Sequence, residues 1–179
     1  PMLWRDGDRD IRDAVAVARE LGFFHVHIYT NGTLGLDVPA DLLWVSMDGL
    51  GDTYALRRGA HFDTVETAVR RPGHPPVALV YVIDRKSAAG IERFLCWVRD
   101  SRLPVIGTMF YFHTPYYGRD DLFLSTEERA PIVDRLLACK RDGLALLHSR
   151  AGLTLLKSGR WPRRFPMAAV ADVHGAPVC

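Results

Sequence analysis

Cysteine is scarce in this chain. Only Cys96, Cys139 and Cys179 occur, too few and too far apart for the disulfide framework of a small secreted domain. No apolar run approaches the roughly 20 residues that span a bilayer, and no signal peptide is visible, so a cytoplasmic location is expected. An excess of one charge is also missing. Lys and Arg number 23 against 21 Asp and Glu, a net charge of +2, which argues for no particular partner. The longest basic cluster, Arg160-Trp161-Pro162-Arg163-Arg164, is short and reads as a solvated turn, so no nucleic-acid partner is expected. There is no internal repeat, no low-complexity tract and no evident catalytic triad. The first residue is Pro1 and not Met.

What is present is a regular alternation of elements. With 179 residues, 48% hydrophobic, the chain is long enough for a real core. Asp8 or Asp10 can cap a helix in which Ile11, Ala14, Val15, Ala18 and Leu21 follow a 3.6-residue period, with Gly22 at its stop. Residues 24–29 and 43–47 read as short strands, and residues 52–70 as a helix in two pieces broken near Gly59. Arg71-Pro72-Gly73-His74-Pro75-Pro76 is a firm stop. Residues 77–83 are nearly all apolar, as in a strand buried on both faces. Ser87 can cap the following helix, whose Ile91, Phe94, Leu95 and Val98 share one face. Residues 104–112 form a fourth strand. Four strands separated by helical segments imply repeated βαβ units and a parallel sheet. Ser125-Thr126-Glu127-Glu128 is a capping box that opens a helix through Lys140, closed by Gly143, and a second amphipathic stretch covers residues 150–157. The expected division is an α/β unit over residues 1–124 and a C-terminal helical extension over 125–179.

Ligands of parallel α/β folds bind at the carboxyl ends of the strands. Those exits here carry Thr30, Asn31, Ser46, Asp48, Asp84, His113 and Thr114, hydrogen-bonding groups suited to hydroxyls and amino groups. Asn31-Gly32 and Asp48-Gly49 are also ordinary turn dipeptides. Repetition at successive strands is what favours a site.

The ordered set Thr30-Asn31-Gly32, Val45-Ser46-Met47-Asp48-Gly49, Arg58-Gly59 and Phe62-Asp63 resembles the radical S-adenosylmethionine (radical SAM) family, in the subgroup that includes peptide- and lipid-modifying members. Met47 stands where the family usually has Leu. Pro1, followed by Met2-Leu3, looks like the last residue of the family's Gly-Gly-Glu-Pro motif, and the likeness runs to about residue 115. It implies a partial barrel of six strands of which this chain keeps the last four, so that the chain is N-terminally truncated. The missing part would carry the CxxxCxxC loop, whose thiolates hold a 4Fe-4S cluster that binds S-adenosylmethionine. Cys96 and Cys139 fall within helices and read as small buried hydrophobes. The chain itself is therefore expected to hold no metal, and to be inactive alone.

By the same resemblance, Thr30 and Asn31 belong to the cofactor-binding set, and Ser46 and Asp48 would approach the ribose or the methionyl amino group. Arg58 would pair with the methionyl carboxylate, as guanidinium suits, although it also reads as a solvated helix charge. Tyr111, in the aromatic run from Met109 to Tyr117, would stack on adenine or line a substrate pocket. His113 would be a proton donor or substrate contact, or simply satisfy a local hydrogen bond. Asp172, Gly175 and Cys179 loosely resemble the start of a cysteine-bearing auxiliary region. The catalytic residues and the substrate are not named by the resemblance. A half barrel leaves an unpaired strand, so association through an exposed sheet edge is expected. The alternative is a non-catalytic α/β module that binds a nucleotide-like ligand or a protein partner at its strand exits.

Overall fold

The computed structural model describes Met2, residues 4–115, Gly118 and residues 120–158. The readings made on Pro1, on Tyr116 and Tyr117, on the basic cluster and on the tail to Cys179 lie outside these residues.

The chain enters through a charged hairpin, β1 (Arg5–Asp6) and β2 (Arg9–Asp10), paired antiparallel. Two-residue strands carry no alternation, so the sequence offers no sign of them. Helix α1 (Ile11–Glu20) follows at once. Asp10, not Asp8, is its cap: the Asp10 carboxylate accepts from the Arg12 N–H at 2.7 Å, and the Asp13 carboxylate accepts from the Asp10 N–H at 2.7 Å, a capping box that satisfies first-turn donors.

Four parallel strands then form one sheet in sequential order: β3 (His27–Thr30), β4 (Leu42–Ser46), β5 (Val77–Ile83) and β6 (Thr108–Phe112). Tyr29 lies opposite Trp44, Ser46 opposite Val80, and Val82 opposite Tyr111. Between β4 and β5 run α2 (Asp52–Arg58) and α3 (Phe62–Arg70), and between β5 and β6 runs α4 (Ile91–Asp100). The break at Gly59 has its cause in backbone geometry, because φ there is +76°, a region that favours glycine.

The first crossover differs from expectation. No helix joins β3 to β4; residues 31–41 cross as irregular chain. Gly32, Gly35 and Pro39 interrupt any helix, and Leu36 and Val38, 4% and 5% exposed, anchor the crossing in the core instead.

Strand alternation divides the sheet faces. Ile28, Leu43, Val45, Leu79, Tyr81 and Phe110 pack with Val15, Val65, Phe94 and Leu95 of the helices in the hydrophobic core. His27, Tyr29, Trp44, Ser46 and Tyr111 belong to the other face. Tyr29 and Trp44 stack there with ring centroids 5.5 Å apart and planes 11° off parallel.

After β6, α5 (Thr126–Arg141) opens on the Ser125–Glu128 capping box, and α6 (Arg150–Ser158) packs on it. Ile132, Val133, Leu136 and Leu153 join the same core as the strands. The chain between these helices runs beside β6: the Thr108 N–H donates to Ala145 O, and the Leu147 N–H donates to Thr108 O. Among the described residues no helix is long and apolar enough to cross a membrane.

Candidate functional site

At the exits of β3 and β4 a cleft of about 320 Å³ is lined by Tyr29, Thr30, Asn31, Thr33, Ser46 and Met2, with Leu34. Three residues singled out in the sequence, Thr30, Asn31 and Ser46, thus meet in one place. Thr30 is buried, and its Oγ1 accepts from the Gly32 N–H at 3.1 Å. The Asn31 carboxamide oxygen accepts from the Thr33 N–H at 3.2 Å and from the Thr33 hydroxyl at 3.0 Å, which fixes the turn. Its amide nitrogen has no partner among the described residues, and neither has the Ser46 hydroxyl. Those two groups are the ones left to bind something.

Asp48 and Arg58 do not line that cleft. Asp48, 1% exposed, accepts from the Val82 N–H at 2.7 Å and, through Oδ2, from Arg58 Nε at 2.7 Å. Its carboxylate is therefore occupied by the neighbouring strand and by an arginine. Arg58 uses only Nε in that bond; its two terminal nitrogens have no partner among the described residues, and its side chain is 30% exposed.

A further cation completes this group. Arg57 Nε lies 3.6 Å from Asp48 Oδ2, and Arg57 Nη1 pairs with Asp84. Asp84, fully buried, accepts from the Lys86 and Ser87 N–H groups, each at 2.8 Å. Ser87 is thereby corrected as a helix cap: its hydroxyl accepts from the Asp84 N–H at 2.9 Å and donates to Val82 O at 3.0 Å, closing the β5 exit. Sequence reasoning missed Arg57, because adjacent helical residues stand about 100° apart and spacing does not put both arginines on one cluster of carboxylates.

Tyr111, on β6, brings its hydroxyl to 3.5 Å from that of Tyr29. Burial, then the hydrogen bond and charge of Tyr111, push the Tyr29 phenol up to about 12. Tyr29 and Trp44 were not singled out, although the alternation His27, Tyr29 and Leu42, Trp44, Ser46 places them on the sheet face of Ser46. His113 pairs with Asp120, Nε2 to Oδ2 at 2.8 Å. That bond, with the Leu122 and Phe123 N–H groups, holds the Asp120 carboxyl below its usual range.

The donor set tests the expected cofactors. Among the described residues no group of three His, Cys, Asp or Glu side chains can hold a metal; Cys139 is buried in α5 and Cys96 half-buried in α4. A 4Fe-4S cluster does not fit these residues. The unpartnered Ser46 hydroxyl and Asn31 amide, beside Tyr29 in the cleft, are hydrogen-bonding groups of the kind that hold a polar organic ligand.

No protein-family model matches the chain, and no curated protein matches it. Solved structures do. A structure of native anSMEcpe with bound AdoMet aligns at a TM-score of 0.55 and 16% identity, over 74% of this chain and 43% of that one. A structure of the same protein with AdoMet and the Kp18Cys peptide aligns at 0.53 and 14%, over 75% and 44%. The chain spans less than half the length of these structures. With its four-stranded parallel sheet backed by helices, it shares its α/β fold with these structures.

Proposed function

We propose that this chain is the S-adenosylmethionine-binding side of a radical SAM enzyme, the 4Fe-4S cluster being held by a cysteine loop upstream of Pro1. The observation that carries the reading is the convergence of Thr30, Asn31 and Ser46 on one cleft, in a fold shared with structures that hold AdoMet. In such an enzyme S-adenosylmethionine supplies, on reductive cleavage, the start of radical chemistry on a substrate. The residues here do the binding. The Ser46 hydroxyl and the Asn31 amide hydrogen-bond the ribose or the amino group. Arg58, held through Nε by Asp48, presents its other two nitrogens to the methionyl carboxylate, a bidentate match. Asp48 is then a positioning residue for Arg58, which revises its expected direct contact. Tyr29, Trp44 and Tyr111 offer a flat surface for the adenine. His113, oriented by Asp120, is the proton donor or substrate contact.

The test uses the chain extended upstream to include the cysteine loop, anaerobically reconstituted with iron and sulfide, with 5′-deoxyadenosine as the readout. Arg58→Gln raises KM for S-adenosylmethionine on the order of tenfold, the worth of one charge-assisted hydrogen bond, and Ser46→Ala raises it less. The chain alone, treated identically, acquires no stoichiometric cluster absorption. If the extended chain holds its cluster yet neither binds nor cleaves S-adenosylmethionine, the reading is wrong and a non-catalytic binding module takes its place.

A further inference from the structure

A second recess lies along the outer edge of β6; none of its lining residues lines the strand-exit cleft, although one of them, Tyr111, reaches Tyr29 beside that cleft. Backbone register creates it. In β6 the His113 N–H turns to Ile83 O of β5, whereas Thr108 turns outward, to Ala145 and Leu147. Phe110 and Phe112 stand in the same alternate register as Thr108, but the neighbouring chain has by then left for α6. The space that opens between this edge, the first turn of α5 and α6 is about 630 Å³, within the range of small-molecule sites. Its apolar walls are Phe110, Phe112, Leu155 and Leu156, the last two 42% and 37% exposed.

Besides Tyr111, whose hydroxyl is turned to Tyr29, the polar residues in it are Thr114, Thr126, Arg129 and His148; no carboxylate of a described residue lines it. Arg129 is the unusual member. Its Nε donates to Leu124 O at 2.8 Å, and its guanidinium sits 5.1 Å from the ring centroids of both Phe112 and Phe123. No acid pairs with it among the described residues. The acids on its own helix are engaged elsewhere: Glu128 by Arg85 and the Ser125 N–H, Glu127 by the Ser125 hydroxyl, and Asp134 by Lys157. Burial alone lowers the Arg129 pKa from its ordinary value, the mark of a cation withdrawn from water without a counter-ion. His148, whose ring also meets the Phe110 backbone, adds a buried Nδ1 with no hydrogen-bond partner among the described residues.

We propose that this recess binds a small amphipathic carboxylate, its head on Arg129 and its hydrocarbon body between Phe112 and Leu156. A half-buried guanidinium held between aromatic rings presents a planar fork that matches a carboxylate. Thr126, in the first turn of α5, adds a hydroxyl where the helix end favours negative charge. The apolar walls require a hydrocarbon body and give a bare inorganic anion nothing to fill them with.

Isothermal titration of the chain with butanoate, hexanoate and octanoate tests this, with octan-1-ol and inorganic phosphate as references. Affinity rises about fourfold per methylene, the worth of a buried CH₂, and octan-1-ol binds at least about tenfold more weakly than octanoate. Arg129→Met brings octanoate down to the level of octan-1-ol, while Arg129→Lys keeps part of the difference. Leu156→Trp fills the recess from an exposed position and blocks both ligands, so the test stands even where an Arg129 variant fails to fold by circular dichroism. The proposal is overturned if octanoate does not bind, if it binds Arg129→Met or Leu156→Trp as tightly as the unaltered chain, or if phosphate binds as well as octanoate.

Discussion

Tyr29 and Tyr111 stand on the two outermost strands of the four-stranded sheet, yet their hydroxyls are 3.5 Å apart. Three spacings of about 4.8 Å separate such strands along a flat sheet, roughly 14 Å in all. Side chains perpendicular to a flat sheet keep that separation, so the contact requires the sheet to curl toward the face that carries them. The pair is a direct readout of barrel curvature, and it frames the surface on which Trp44 and Ser46 lie.

The Tyr29 phenol, pushed up to about 12 first by burial and then by Tyr111, makes this contact measurable. The folded chain holds that proton more tightly than the unfolded chain, whose tyrosines titrate near 10 (~10). The stability it contributes is therefore complete below about 10 and is lost as pH rises toward about 12. Tyr111→Phe removes the second and third causes and leaves burial, so Tyr29 titrates lower but still above its ordinary value. Tyr81, buried with its hydroxyl on Ser87 O, is the unaffected control. Phenolate absorbance against pH reads both, and an unchanged Tyr29 would show that the hydroxyls do not meet in solution.

Asp48 and Ser46, two residues apart in one motif, differ sharply in what substitution costs. Asp48→Asn removes the buried charge that holds Arg58 and approaches Arg57, whose side chains are 30% and 18% exposed, so the loss falls below the ~3–5 kcal/mol of a fully buried pair, at roughly 1–3 kcal/mol. Ser46→Ala stays within about 0.5 kcal/mol, since its hydroxyl bonds nothing among the described residues. Urea unfolding of the two variants separates a structural carboxylate from a binding hydroxyl; equal stabilities would contradict the assignment.

Gly49, next to Asp48, has φ +141°, and a Cβ there would come within 2.7 Å of Thr53 Cγ2 and 2.9 Å of Thr53 Cβ. Gly49→Ala therefore costs about 1–3 kcal/mol in backbone strain and displaces the start of α2, the helix that carries Arg57 and Arg58. Thermal unfolding checks the first effect. A variant as stable as the unaltered chain would mean that the turn has other room.

Asp120 is held low first by His113 and then, against some desolvation, by backbone N–H groups. A carboxyl depressed in the folded state stabilises above its unfolded pKa, about 3.9, and that contribution disappears as pH falls through the folded value. His113→Gln moves Asp120 back toward the ordinary range without reaching it, because the Leu122 and Phe123 N–H groups remain. Carbon-detected NMR titration of the Asp120 carboxyl follows this; no movement would place His113 elsewhere in solution.

Along β3 no described strand pairs on the outer side. Tyr29, 48% exposed, and Phe24, 87% exposed, add apolar surface beside that open edge, the combination that promotes edge-to-edge association. Concentration-dependent elution in size-exclusion chromatography is the expected behaviour. A monomer at every concentration would show that the edge is protected.

Local order was written in the sequence. The β5 strand was read to its exact ends because apolar β-formers stop at Pro76 and Asp84; the α5 capping box and the break at Gly59 rest on contacts within a few residues, which spacing specifies. The repeated polar exits also placed the cleft residues Thr30, Asn31 and Ser46 correctly at strand ends. Tertiary structure decided the rest. That Asp48 is spent on Val82 and Arg58, that Arg57 bridges to Asp84, that Tyr29 reaches Tyr111 and that Arg129 is left without an acid among the described residues all depend on sheet curvature and on which charges are desolvated together. Those choices are made between residues distant in sequence, where no periodicity records them.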